Sequence, residues 1–322
     1  MNDVQPKLLM LMYGVIAFFA VLGLLLLVVD RAPKRGREKV QLVAFLGPAL
    51  VLLAVGLLIP AARTVLLSFK DPFSVEWVGF DNYAWMFTDR GSRRILLNTA
   101  AWVLLVPALA TTVGLLYAIV IDKAKGEAFA KALVFMPMAI SLVGASIIWK
   151  FVYTVRPADD NQIGLANQLL VMVGLQPYRF LQDAPWNTLF LIVILVWIQA
   201  GFAMVILSAA IKAVSADIIE AARLDGVTPW QMFRNVTLPS IRPAVVVVMV
   251  TITITTLKAF DIVRTTTGGQ FDTGVVATEL YDQAFVFGEV GRGSALAVLL
   301  FILVLPIVIY QVGVLRSQRE IR

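Results

Sequence analysis

The sequence predicts an all-α integral membrane protein with about seven transmembrane helices. Of its 322 residues, 60% are hydrophobic, and the mean hydropathy of +0.86 is more than a water-soluble domain can hide in one core. The apolar residues gather into runs that, at about 1.5 Å per helical residue, can cross about 30 Å of hydrocarbon. Between these runs Pro, Gly, Asp, Asn and the basic residues collect. Cys and His are both absent, which excludes disulfide frameworks, thiol nucleophiles, His-based general acids and His/Cys zinc sites. No catalytic residue and no metal site is expected. The net charge of +6 belongs to residues flanking the spans, so topology explains it and nucleic acid is not expected as a partner.

The first span, 8–29, has only Lys7 before it, while Arg31, Lys34, Arg35, Arg37 and Lys39 follow. That asymmetry puts the N-terminus outside and makes 1–40 a retained anchor with a basic cytoplasmic loop, not a cleaved signal peptide. The second span, 42–67, contains Pro48 and Pro60, where kinks are expected because each proline frees a carbonyl. An outer segment, 70–94, mixes Pro72, Gly79, Asp81, Asn82 and Gly91 with Trp77, Tyr83 and Trp85, as a loop and short helix at the membrane interface would. Spans three and four, 95–121 and 128–153, are joined by the inner turn 122–127. A second outer segment, 154–185, holds an amphipathic helix over 165–173, and span five covers 186–211. After the inner stretch 212–243 come span six, 244–263, and a third outer segment with Gly268, Gly269, Asp272, Glu279, Asp282 and Glu289. Span seven, 293–315, ends in Arg316, Arg319 and Arg322, a basic tail that places the C-terminus in the cytoplasm.

The stretch 212–243 is the least membrane-like helical writing in the chain. It reads as two short helices and a corner. Ser215 stands where it can cap the first, Asp217 lies in the first turn where the helix dipole favours an anion, and Gly226 falls just past the end, where a left-handed residue is wanted. Thr228 can cap the second, with Pro229 at its first position and Gln231 completing a Thr-x-x-Gln capping box. Asp225 is placed to tie the corner down by accepting hydrogen bonds.

These residues carry a family resemblance. Glu220-Ala221-Ala222-x-x-Asp225-Gly226, followed by Phe233, Leu238-Pro239 and Pro243, resembles the EAA loop of permease subunits in binding-protein-dependent ABC importers. Asn98-Thr99, Phe135-Met136-Pro137, Trp149, Trp197, Phe260-Asp261 and Gly268-Gly269 extend the likeness to MalF-type carbohydrate permeases over about 42–315, although Gln270 stands where that family usually has a third glycine. The resemblance implies a six-helix permease core, 41–322, to which this chain adds an N-terminal helix. It implies a bacterial or archaeal cytoplasmic membrane, a second homologous permease, a dimer of cytoplasmic ATPase subunits, an external solute-binding protein and surrounding lipid. It also implies that Glu220, Ala221, Ala222, Asp225 and Gly226 couple to the ATPase, with Glu220 making a polar contact and Gly226 permitting the corner. No Gly-x-x-x-x-Gly-Lys-Ser/Thr loop is present, so ATP and Mg are expected on the partner and no cofactor on this chain.

A sugar presents hydroxyls and apolar ring faces, and its path calls for neutral hydrogen-bonding groups beside aromatic surfaces. Carried over from MalF-type permeases, the path would use Ile198, Gln199 and Phe202 on span five and Thr255, Thr256 and Ala259 on span six. The same residues also suit plain packing, because membrane threonines back-bond to their own helix. Lys258 and Asp261 are spaced to pair on one helix face. A disaccharide or oligosaccharide, with an α-glucoside such as maltose or trehalose favoured, is the expected cargo; glycerol phosphate or a polyol is the alternative. An ion-coupled secondary transporter would need acidic residues at midplane and paired broken helices, and the sequence shows neither.

Overall fold

The computed structural model describes residues 4–30, 37–122 and 124–320. Of the basic flanks, Arg31, Lys34, Arg35, Lys123 and Arg322 lie outside the described residues. The chain divides into two compact units, Met1–Leu66 and Leu67–Arg322. In the first unit α1 runs over Val4–Asp30, and most of α2, Glu38–Leu67, follows as one uninterrupted helix. Pro60 does not break α2. The hydrogen-bond ladder widens to π spacing over Ala54–Leu58, with the Ile59 N–H bonding the Ala54 carbonyl just before the proline.

The second unit is built on α4, Arg90–Ile121, and α8, Trp186–Lys212, which pack along their lengths. Trp102, Val106 and Ala110 of α4 are buried with Leu191, Leu195 and Met204 of α8. Their backbones approach closely because Gly114 has no side chain: a Cβ there would lie 2.5 Å from the Ala203 Cβ. Around the pair stand α3 (Asp81–Thr88), α5 (Glu127–Ala139), α6 (Leu142–Val152), α7 (Leu165–Met172), α9 (Ala216–Leu224), α10 (Pro229–Leu257), α11 (Asp261–Thr266), α12 (Val276–Tyr281) and α13 (Val290–Glu320). Among the described residues, five helices are long and apolar enough to cross a membrane, and α5 with α6 makes a sixth if counted as one bent span. With α1, apolar over Leu9–Gly23, this accords with about seven spans.

Two spans differ from the sequence-based expectation. Span four is not one helix over 128–153: α5 tightens to a 3₁₀ turn at Met136–Ala139, Ile140 is extended, and α6 leaves at 101°. Pro137 and the Ser141 cap, whose hydroxyl accepts the Gly144 N–H at 3.0 Å, supply the break and the restart. Span six begins earlier than 244 and ends before 263. α10 runs unbroken from Pro229 to Leu257 through a π-helical segment, Met232–Thr237, that again stands just before a proline, Pro239. Because the helix stops at Lys258, the expected Lys258–Asp261 pair on a single helix face does not form. Arg264 instead pairs with Asp282 at 2.8 Å and lies 5.0 Å over the Tyr281 ring.

At one end of this unit each connecting segment is pinned by a buried amide side chain. Asn82 donates to the Ser68 and Lys70 carbonyls, and Asn167 to those of Thr154 and Tyr178 while accepting the Tyr178 N–H. The loop after Gly268-Gly269, both at positive φ, is held by Asn98, which donates to Asp272 and Gly274 carbonyls at 2.6 and 2.9 Å. Asn187 adds a bond to the Phe271 carbonyl, and the Thr99 hydroxyl accepts the Val276 N–H. Buried carbonyls in a loop need such donors, and the short helices α3 and α7 and the spans α4 and α8 provide them.

Candidate functional site

The corner between α9 and α10 closes with backbone bonds. The Gly226 N–H reaches the Arg223 carbonyl at 3.1 Å and the Val227 N–H reaches Ala222 at 3.4 Å, the paired pattern of a left-handed helix stop, and Gly226 sits at φ +76°. The capping box forms as the sequence predicts: Thr228 N–H donates to Gln231 Oε1 at 2.8 Å, and Gln231 N–H to Thr228 Oγ1 at 3.3 Å. Ser215 occupies the N-cap position of α9 but makes no capping bond, and the Asp225 carboxylate accepts no hydrogen bond among the described residues. Backbone geometry, not Asp225, holds the corner.

What this corner shows to its surroundings is mixed. Glu220, Ala221, Arg223, Asp225 and Gly226 are exposed, and Ala222 is half-buried beneath them. Leu224 is 85% exposed, Trp230 66% and Ile218 52%, so apolar side chains stand among charges on helices that are not membrane spans or are only the first turn of one. Apolar side chains rimmed by charge are the pattern of a surface that meets another protein or the membrane interface. α9 packs against the π-helical segment of α10, and only three residues, 213–215, separate it from α8. A push on the corner therefore reaches α8 and α10 together.

The six candidate solute-path residues divide differently. Ile198, Thr256 and Ala259 are buried in the core, while Gln199, Phe202 and Thr255 are half-buried. The threonine protons are spent on their own helix: Thr255 Oγ1 donates to the Thr251 carbonyl at 3.1 Å and Thr256 Oγ1 to Ile252 at 2.7 Å. Gln199 keeps its amide free of any hydrogen bond among the described residues, an unusual state for a polar side chain on a membrane helix. Trp197 packs edge-on to Trp149 at 5.7 Å, and Trp149 continues to Tyr153 and the Phe180 and Phe190 rings. This stripe is occupied with packing. Two apolar grooves of about 430 and 530 Å³ lie along α10 and α13, and none of the six residues lines them.

Residues 110–320 match the family described as binding-protein-dependent transport system inner membrane component. The chain is 43% identical over 278 residues to an osmoprotective compounds uptake permease protein of Synechocystis sp., covering 86% of this chain and 100% of that one. It is 45% identical over 269 residues to an alpha-glucoside transport system permease protein of Rhizobium meliloti, covering 83% and 80%. A trehalose/maltose transport system permease protein of Thermococcus litoralis is 29% identical over 85% of this chain and 92% of its own. Among solved structures, a chain of the bacterial alginate ABC transporter, in complex with an alginate pentasaccharide-bound periplasmic protein, superposes with a TM-score of 0.73. That match has 23% identity and covers 86% of this chain and 94% of the other, a likeness of fold.

Proposed function

The chain belongs to the family of binding-protein-dependent transport system inner membrane components, and we propose that it is the permease subunit of an ABC importer for a disaccharide or oligosaccharide. An α-glucoside such as maltose or trehalose is the favoured cargo, supported by the alpha-glucoside and trehalose/maltose relatives. In this reading the protein crosses the cytoplasmic membrane several times with its N-terminus outside and C-terminus inside. A second homologous permease completes the pathway, an external solute-binding protein delivers the sugar, and a dimer of ATPase subunits binds ATP and Mg below. The 41–322 core carries the path, and the corner within 212–243 meets the ATPase.

One observation carries the mechanism: a capped corner exposes Leu224 and Trp230 along with Glu220 and runs without interruption into α10. Closure of the ATPase dimer on ATP grips that surface. Glu220 supplies a polar contact, Ala221 and Ala222 keep the helix slim enough to seat in a groove, and Gly226 keeps the turn sharp. Since α8 and α10 leave the two ends of the corner, its displacement moves both spans that carry the candidate path residues. There the free Gln199 amide offers a donor and an acceptor to sugar hydroxyls, and Phe202 offers an apolar face for a ring. The half-buried Thr255 hydroxyl can still accept a hydrogen bond, because back-bonding uses only its proton, whereas Thr256 lies buried in the core.

The experiment is ATP-driven uptake into vesicles by the complex reconstituted with its second permease, ATPase and binding protein, using labelled maltose, trehalose, a polyol and glycerol phosphate. Uptake of the α-glucosides is expected, and Gln199→Ala should shift the preference between them roughly threefold to tenfold, the scale of one or two hydrogen bonds. Uptake confined to glycerol phosphate or a polyol would overturn the sugar reading. An osmoprotective compound belongs in the panel as well, because of the Synechocystis relative.

A further inference from the structure

At the end of α8 that leads into the corner, five side chains from three helices meet in one network. Lys131 Nζ on α5 lies 2.6 Å from Asp122 Oδ1, at the C-terminus of α4, and 2.7 Å from Glu127 Oε1. It also donates to the Ser208 hydroxyl on α8. Ser208 Oγ in turn donates to the Asp122 carboxylate at 2.7 Å. Lys212, the last residue of α8, pairs with Glu127 and lies 3.9 Å from Asp122. Two carboxylates face two ammonium groups, so the cluster is neutral as a whole.

This is more than a solvated charged face. The Asp122 side chain is 12% exposed and that of Lys131 20%, and Ser208 is buried. Charges partly withdrawn from water need ordered partners, and here two of the partners, Ser208 and Lys212, stand 77 to 86 residues away in sequence, although Lys212 itself is 51% exposed. A second contact joins the same two helices about two turns further along α8. A Cβ at Gly201 would lie 2.5 Å from the Val134 carbonyl, so the α5 backbone rests directly on α8 there. Beyond that contact α5 stops, and the chain turns through the 101° break into α6.

We propose that Asp122, Glu127, Lys131, Ser208 and Lys212 are positioning residues that clamp α5 and the end of α4 onto α8, so that the corner's displacement carries α5 along and is taken up at the break between α5 and α6. The proposal rests on the importer reading, because it assigns the clamp to the coupling movement. It makes span four a two-part element: an inner half that travels with α8 and a far half, α6, that stays behind. Loss of the clamp would leave α8 moving without α5, with ATP hydrolysed and little solute carried.

The chain contains no Cys, so the double variant Glu127→Cys/Lys212→Cys introduces a single thiol pair. In the reconstituted complex, the number of ATP molecules hydrolysed per sugar imported should rise roughly threefold to tenfold in this variant and in Lys131→Met, the range for members of one ion-pair network. Bridging the two thiols with a short cross-linker should return the ratio to that of the unaltered complex, which repair of a merely misfolded protein would not do. An unchanged ratio in the unbridged variants, or a bridge that blocks import, would overturn the clamp. If the unaltered complex imports no solute, the importer reading fails by itself. The clamp is then decided by amide hydrogen exchange of the chain in lipid nanodiscs: Lys212→Met should raise exchange over 127–135 as well as 208–212, and a rise confined to 208–212 would contradict it.

Discussion

The two ends of the second unit solve opposite problems. At the end holding 268–276, neutral amides of Asn98 and Asn187 reach across from α4 and α8 to satisfy loop carbonyls, and Asn98 is only 7% exposed. At the other end the α9–α10 corner is closed by its own backbone and caps, and it leaves Leu224 and Trp230 uncovered. One end is completed within the chain. The other closes on local bonds and leaves apolar side chains uncovered, the face that the proposed ATPase contact would use.

Breaking the first end should be the costlier act. Asn98→Ala leaves two loop carbonyls without their donor, a loss of about 2–3 kcal/mol, read as a lower thermal unfolding midpoint in detergent. The transport carried out by each folded molecule should stay near normal. A variant with an unchanged midpoint would show that the amide braces are dispensable and that the two ends are held alike. At the corner the internal effect is smaller: Thr228→Ala removes one half of the capping box, at about 1 kcal/mol. Faster amide exchange confined to 228–237 is the expected sign. Destabilisation of the whole unit by this change would mean that the corner is braced by more than its caps.

How legible was this in the sequence? Spans, corner and caps were readable because each rests on local chemistry: apolar runs of membrane length, Gly226 after a helix, Pro229 and Gln231 after Thr228. The break in span four was signalled by Met136-Pro137 and by Ser141 before Gly144, yet a continuous apolar run hides a change of direction. The unbroken α10 was missed for the converse reason, since Pro239 looks like a stop and a π-helical segment absorbs it. Ser215 is a sound capping residue that sits at the N-cap position and makes no capping bond. Long-range partnerships were out of reach. Asn98 and Thr99 were recognisable as a pair at the start of a span, but their bonds to 272–276 join positions more than 170 residues apart. The same holds for Lys131 with Ser208. Among the path residues, the back-bonding that membrane threonines favour was legible, and Thr255 and Thr256 both spend their protons that way; that the Gln199 amide makes no hydrogen bond among the described residues was not legible.

In the proposed importer the exposed corner is where the ATPase takes hold. This contact is tested most directly by the affinity of the purified ATPase dimer for the two-permease membrane complex in nanodiscs carrying Glu220→Ala or Leu224→Asp. Binding should weaken by about tenfold or more, equivalent to about 1.4 kcal/mol, while the thermal midpoint of the membrane complex stays within about 0.5 kcal/mol of the unaltered protein's stability. Unchanged affinity in both variants, with ATP-driven import intact, would contradict the account.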